Sequence, residues 1–351
     1  MLAPVRHILP VTTIQRERLL PMPGRVVVRR GQKLSPVDAI AEAHLEPEHI
    51  LLDVERGLGL RASEIDEYIQ REAGELVSEG DIIAGPVGMA RRVVRAPHSG
   101  RVILFRNGKV LFEIDSPPFV LRAGLPGVVS SLIPDRGAII DGTGALIQGV
   151  WGNGRVDYGL LHVLAKIPED LLTPDHLDET MRGSVILAGF CGEAEVFKAA
   201  GELPLRGLIL SSMASSLIPL AVKMEYPIIV VEGFGLMPMN SAAFNLLSTS
   251  DRREVALNAE AFDWFANTRP EIVIPLPTED HAYEPCESLI FSPDQQVHIV
   301  RAPYKSQIGT IVALRPGIKI LPSNVRAPAA EINLESGETV VLPLANLEVL
   351  A

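Results

Sequence analysis

A weak internal repeat in the first third of the chain most narrows the folds open to it. Val28–Leu34 followed by Asp38–Ala41 is echoed by Glu75-Leu76-Val77-Ser78-Glu79-Gly80-Asp81-Ile82-Ile83-Ala84, and each copy reads as a turn followed by a strand. A second echo links Arg95-Ala96-Pro97-His98-Ser99-Gly100-Arg101-Val102 with Arg122-Ala123-Gly124-Leu125-Pro126-Gly127-Val128-Val129. In both, a Pro-containing turn ends one strand and a glycine frees the backbone for the next. Asn107-Gly108, between Val102–Phe105 and Val110–Ile114, is a strong two-residue hairpin signal. Residues 76–114 are therefore expected to be β.

The composition agrees with short strands joined by tight turns. There are 28 Pro and 29 Gly against 5% aromatic residues, which disfavours an all-helical fold. At 351 residues the chain exceeds a typical single core, so two or three domains are expected. The net charge of −11 argues against wholesale coating of nucleic acid while leaving room for local basic patches. Cys191 and Cys286 stand far apart and form no disulfide or zinc framework. Met1–Pro10 lacks the pattern of a secretory signal, and the apolar runs fall well short of the ~20 residues that span a bilayer. A cytoplasmic protein without a membrane association is expected.

Between the repeat copies, Glu46–Ala73 has helical spacing: Ser63 can cap, Glu64 and Asp66 fall in the first turn, Ile65, Tyr68 and Ile69 share a face, and Gly74 stops it. A helical insertion near 46–73 is predicted. From 183 to 248 the period changes. Ser184–Ala188, Gly207–Ser211 and Pro227–Val231 read as strands, with helix-like stretches at Glu193–Leu203, Ser215–Met224 and Ser241–Leu247. That order predicts a central parallel α/β domain, completed by strands from Gly137–Val150 and Ile272–Pro275. The last ~55 residues return to short strands, with Glu335–Glu338 as the final hairpin turn. The expected class is a mixed α/β multidomain protein. Its parts are a β-rich N-terminal module (1–135), an α/β domain (136–290) and a small C-terminal β-barrel (291–351).

Two resemblances sharpen the terminal modules. Gly74, Val77, Gly80, Asp81, Ile83 and Ala84, with Ala96, Pro97, Gly100 and Val102, resemble the two halves of the barrel-sandwich hybrid of biotinyl and lipoyl domains. The joining stretch Gly85–Arg92 has no lysine, so the resemblance implies the shape without prosthetic-group carriage, and no cofactor is expected. Val297–Val312, with Gly309, and the closing Val341–Glu348 resemble the KOW type of SH3-like barrel, whose members often contact RNA or ribonucleoprotein. Here Pro303 and Tyr304 stand where a glycine is usual. Taken whole, the arrangement resembles bacterial KOW-motif proteins.

Candidate sites follow from charge and from strand ends. Arg301, Lys305, Arg315, Lys319 and Arg326 occur with no acid between Val297 and Ala330. They could receive phosphates, with Tyr304 as a stacking face, although the acids that follow, Glu331, Glu335, Glu338 and Glu348, offset them. Arg91, Arg92 and Arg95, with Arg101, Arg106 and Lys109, form a second acid-free stretch suited to an acidic partner or simply to solvent. In open parallel sheets ligands bind at the carboxyl ends of strands. Gly189, Gly192, Ser211, Ser212, Ser215, Glu232 and Gly233 lie there and could admit a small anion. Equally, glycines make turns and serines cap helices, with Ser215 well placed as an N-cap. Glu232, after an apolar strand, could be a buried acid with a shifted pKa. Cys191 beside a helix start could be a nucleophile, yet a packed cysteine is commoner.

No dinucleotide, Walker or nucleophile-elbow pattern occurs, and neither His44/His49 nor Asp175/His176/Asp178 has metal-ligand spacing. Catalytic and metal residues are therefore assigned to none. The central segment loosely resembles the swivelling domains of phosphoenolpyruvate-using enzymes, without their histidine, since no His lies between His176 and His281. The expectation is a non-catalytic binding or scaffold protein that contacts a protein or ribonucleoprotein through its terminal modules. The alternative is an enzyme or sensor that binds a small anion above the central strands. Partner and oligomeric state stay open.

Overall fold

Strands dominate the chain, and the reason is visible in its punctuation. Glycine at positive φ ends strand after strand, while β-branched residues fill the runs between. The computed structural model describes residues 2–263, 268–277, 285 and 289–351. Its centre is a twelve-stranded mixed sheet. From one edge the order is Trp151–Gly152, Ile228–Phe234, Gly207–Met213, Ser184–Cys191, Val156–Val163, Glu254–Asn258, Glu271–Pro275, Gly137–Gln148, Gly127–Ile133 and Lys33–Leu34. Leu171–Leu172 pairs with Ser184–Cys191, and Ile8–Leu19 runs along Gly137–Gln148.

The expected central parallel α/β domain is not what forms. Parallel pairing is confined to Val156–Val163, Leu171–Leu172, Ser184–Cys191, Gly207–Met213 and Ile228–Phe234 within that sheet. The remaining pairs are antiparallel and recruit strands from 8–19, 127–148 and 254–275. The described residues contain four α-helices, the longest being Ala194–Glu202 with nine residues. The alternation of apolar runs and helix-like stretches between 183 and 248 is a local signal. It carries no information about the distant strands that extend the sheet, and the short helices cover only part of it.

The helical insertion near 46–73 is also corrected. His49–Asp53 is a strand paired with Lys109–Ile114, followed by a single five-residue helix, Val54–Leu58, and two 3-10 turns. Ile50 and Leu52 alternate with exposed His49, Leu51 and Asp53, a two-residue period that the helical reading overlooked. Ile65 is fully buried as expected, although it lies between turns of 3-10 helix.

The hairpin at Asn107-Gly108 forms as expected, with φ of 52° and 69° joining Gly100–Arg106 to Lys109–Ile114. These strands, with His49–Asp53 and Leu76–Val77, make a four-stranded sheet over its own core, including Val54, Ile83, Val102 and Phe112. Each such fully buried side chain contributes about 1.5–3 kcal/mol relative to exposure.

The C-terminal sheet has six strands, and one of them comes from the other end of the chain. Val5–Arg6 pairs in parallel with Leu347–Leu350, beside Gln296–Ile299, Ile308–Ile320, Arg326–Leu334 and Thr339–Pro343. The expected turn at 335–338 joins the last two of these, with Gly337 at φ 86°. The chain then leaves this sheet at His7 and enters the central one at Ile8, so residues 5–8 stitch the two sheets together. No helix among the described residues is long and apolar enough to cross a membrane.

Candidate functional site: a charged cleft at the seam of two sheets

The seam is polar because strands from three parts of the chain bring ionisable side chains to one place. Ile228–Phe234 is buried through Gly233 and places Glu232 near its carboxyl end. Gln296–Ile299 contributes His298, Leu347–Leu350 contributes Glu348, and Val5–Arg6 contributes Arg6. Both faces of Gln296–Ile299 are covered, one by the C-terminal core and one by the seam, so Val297, His298 and Ile299 are all buried.

Charges in such a place require partners, and these have them. Arg6 donates from Nε to the Gln148 carbonyl at 3.1 Å and from a terminal nitrogen to the Val231 carbonyl, and that nitrogen lies 3.6 Å from Glu232 Oε1. Glu232 Oε1 accepts from the Asn240 side chain at 2.6 Å and from its backbone N–H at 3.2 Å. Asn240 in turn caps the helix Ser241–Ser248 by accepting from Ala243 N–H at 2.9 Å. His298 Nε2 donates to Glu232 Oε2 at 2.8 Å. Its Nδ1 faces Glu348 Oε2 at 3.7 Å and an Arg6 nitrogen at 3.4 Å. Arg269 donates to Glu348 Oε1 at 3.0 Å and stacks its guanidinium 4.9 Å from the Phe262 ring centroid.

The protonation states follow from this packing. Burial opposes ionisation of Glu232, but the Arg6 guanidinium, His298 and Asn240 outweigh it and hold the carboxyl down at about 2. Glu348 is likewise held at about 2, against burial, by His298 and then Arg269. Burial pushes His298 down, and its contacts with Glu232 and Glu348 more than reverse this, so its pKa is raised. With carboxylates on both sides the imidazolium is the favoured form, and the Arg6–His298 approach at 3.4 Å is a tolerated contact between cations.

Above this cluster opens a cavity of about 290 Å³, lined by Val150, Glu232, Phe262, Arg269, His298, Val300, Arg301, Lys305 and Glu348. Gly233 borders it: a Cβ there would lie 3.8 Å from Lys305 Nζ and 3.9 Å from Val150, and its φ of 127° favours glycine. Arg301 is exposed and Lys305 half-buried, and neither has an acidic partner among the described residues. A larger groove of about 570 Å³ elsewhere has one ionisable side chain among the described residues, Asp141, already bonded to Gln15 at 2.9 Å. The smaller cleft has the chemistry.

Of the residues singled out from sequence, Glu232, Gly233, Arg301 and Lys305 come together here. Ser211 and Ser212 are buried nearby in the same sheet, and Ser212 Oγ donates to the Met237 carbonyl at 2.8 Å and accepts from its N–H at 3.1 Å. Gly189 packs against the Asp170 backbone, where any Cβ would collide with its carbonyl. Gly192 is exposed. Ser215 is exposed in a 3-10 turn whose N-cap position is Ala214, so it does not cap. Tyr304 donates its hydroxyl to Glu338 at 3.2 Å, and Arg315 pairs with Glu331. Lys319 stands exposed, far along the 308–320 strand.

Arg91, Arg92 and Arg95 lie on or beside the strand Arg92–Arg95 of the N-terminal module, away from the cleft. Arg92 and Arg95 donate to the carbonyls of Leu58 at 3.4 Å and Gly80 at 2.7 Å. Cys191 is buried and its thiol is pushed up to about 11, which opposes a nucleophilic role. Cys286 and His281 lie outside the described residues. No group of three or more metal-ligating side chains gathers among the described residues.

Arg6, Arg269, His298 and Glu348 were not among the sequence candidates. Arg6 and His298 are 292 positions apart, and no local pattern announces such a meeting. A histidine inside a short apolar strand at 296–299 was the available clue. No family model and no curated protein matches the chain.

Proposed function

We propose that the protein binds a small anionic ligand in the seam cleft, with the C-terminal sheet supplying cations and Gly233 of the central sheet giving close access. The observation that carries this reading is the charge balance. Arg6, Arg269, Arg301, Lys305 and His298 face two carboxylates, Glu232 and Glu348, and the two outermost cations, Arg301 and Lys305, have no acidic partner among the described residues. In a cleft walled by Val150, Val300 and Phe262, such cations attract an anion more strongly than they would at an open surface. The imidazole is committed to Glu232 through one nitrogen and flanked by Glu348 at the other, which favours binding or sensing over proton transfer.

Calorimetric titration at low ionic strength with inorganic phosphate, citrate and small phosphate esters tests the reading. Binding of at least one anion is expected, weakened tenfold or more by Lys305→Glu. Absence of binding across the panel, or an unchanged affinity in that variant, overturns it.

A second reading has its own observation. Beyond Arg315 the strands 308–320 and 326–334 form a two-stranded ribbon in which Ile318 and Ile320 are 71% and 65% exposed around Lys319. Exposed aliphatic and cationic side chains on a projecting ribbon suit contact with a macromolecule, in keeping with the KOW resemblance and with a cytoplasmic setting. Affinity capture with and without nuclease, comparing the native chain with Ile318→Asp, separates a protein from a ribonucleoprotein partner. Equal recovery by both chains counts against the ribbon.

A further inference from the structure

We propose that the ligand of the seam cleft is an amphiphilic anion, a carboxylate or phosphate head group joined to a hydrocarbon tail without hydroxyl or amide groups; this rests on the anion-binding reading above and names its substrate class. Three observations converge on it.

The first is the kind of side chain that lines the cleft. Among the described residues that do so, each is either hydrocarbon, as Val150, Val300 and Phe262 are, or charged; none is a serine, threonine, asparagine, glutamine or tyrosine. The carboxylates are already bracketed at the floor, Glu232 by Arg6, His298 and Asn240 and Glu348 by Arg269 and His298. A ligand hydroxyl that enters gives up its water and meets no neutral side chain to replace it, which costs affinity.

The second is hydrocarbon within a ligand's reach. Val150 and Val300 are only half-buried, and the Phe262 ring stays 38% exposed although the Arg269 guanidinium stacks on it. At Gly233 the missing side chain leaves a gap. The nearest groups to the position of its Cβ are the Met237 methyl at 3.3 Å, Lys305 Nζ at 3.8 Å and a Val150 methyl at 3.9 Å. Two methyl groups and an ammonium thus meet at one spot, and a ligand that answers both has charge and hydrocarbon side by side.

The third is where the surplus charge lies. At the floor the Arg269 guanidinium and the His298 imidazolium offset Glu232 and Glu348, with Arg6 behind them adding one positive charge. Arg301 and Lys305 stand farther out, with no acidic partner among the described residues. One anionic head group between these two leaves the apolar walls to the rest of the ligand.

Carboxylates and phosphates share this head-group chemistry, and two series distinguish them. The experiment is calorimetric titration of the full chain with acetate, butyrate and hexanoate, which differ in hydrocarbon length at one charge, and with methyl against n-butyl phosphate. Gluconate matches hexanoate in carbon count and charge but carries hydroxyls along its chain, and hexanamide keeps the tail without the charge. Affinity is expected to rise by at least about tenfold along one series or the other, and the series that responds more strongly identifies the head group. Gluconate is expected to bind more weakly than hexanoate by at least about tenfold, and hexanamide not measurably. Val300→Thr, which keeps the shape of a wall and makes it polar, is expected to shrink the gain along the responding series, while Lys305→Gln weakens its members alike.

A flat affinity along both series, or gluconate bound as tightly as hexanoate, makes the hydrocarbon tail wrong and leaves the anion site standing. If hexanamide binds as tightly as hexanoate, or if none of the anions binds, the cleft does not select for negative charge, and this inference fails together with the reading beneath it.

Discussion

Two acid-free, positively charged stretches look alike in the sequence and meet different fates in the fold. Between Val297 and Ala330 the cations divide: Arg301 and Lys305 reach a cleft floored by buried carboxylates, while Arg315 pairs with Glu331 and Lys319 projects into solvent. Between Ile82 and Phe112, Arg91, Arg92 and Arg95 sit at the surface of a small module, where two of them brace its backbone carbonyls. The difference is what lies opposite. A run of cations becomes a site where the fold brings a concavity and buried charge against it, and the strands that do so here come from the middle and both ends of the chain.

If that contrast is sound, the largest effect comes from breaking the buried cluster. Glu232→Ala leaves Arg6, His298 and the Asn240 side chain without their shared acceptor in a region closed to water. Removing one partner of a buried ion pair typically costs about 3–5 kcal/mol, so the urea midpoint is expected to fall steeply, with the Ser241–Ser248 helix losing order through its cap. A loss below 1 kcal/mol would mean that the seam is not a coupled cluster.

The same cluster sets a pH dependence of stability. Glu232 and Glu348 have folded pKa values near 2 against an ordinary 4.5, so their stabilisation is complete above the ordinary value and is lost as pH falls toward 2. His298 has a raised pKa against an ordinary 6.5. Its contribution is complete below that value and is lost as pH rises through the folded one. Stability is therefore expected to peak between about pH 4.5 and 6.5 and to decline on both sides. In His298→Gln the alkaline decline should disappear from denaturation curves recorded from pH 5 to pH 9, and its persistence would point to another group.

What could be read in advance separates along the same line. Features fixed by a few adjacent residues were legible: the Asn107-Gly108 turn, the 335–338 turn, the strands of 76–114, and Glu232 and Gly233 at the end of an apolar run. Features fixed by pairing across the chain were not. Ile8–Leu19 carries no strong alternation, yet it lies along Gly137–Gln148 because that strand's long register gives its backbone a partner. Arg6 enters the site because Val5–Arg6 pairs with Leu347–Leu350, about as distant a contact as the chain allows. The helical reading of 46–73 failed for the same reason in reverse, since the pairing of His49–Asp53 with Lys109–Ile114 overrides local helical spacing.

A smaller effect tests the local kind of information by itself. Gly108 has φ 69°, and a Cβ there would meet Ile65 Cδ1 at 2.9 Å and Glu55 Cβ at 3.2 Å. Gly108→Ala is expected to cost about 1–2 kcal/mol from backbone strain and crowding. Anion affinity at the distant cleft should stay unchanged. A matching loss of affinity would join the two regions energetically and weaken the contrast drawn between them.

The smallest expected effect concerns the arginines of the N-terminal module. Arg91 is exposed, at φ 46°, with no acidic partner among the described residues. Arg92 and Arg95 are exposed and contact carbonyl oxygens rather than carboxylates. Surface changes of this kind usually fall within about 0.5 kcal/mol. Arg91→Gln is therefore expected to leave both the urea midpoint and anion titration unaltered, and Arg92→Gln and Arg95→Gln to cost little more than one weak hydrogen bond each. Lys305→Gln, an equal change of charge in the other stretch, should spare stability while lowering anion affinity. If Arg91→Gln weakens anion binding as much as Lys305→Gln does, net charge rather than the geometry of the seam governs the ligand, and the two stretches differ in position alone.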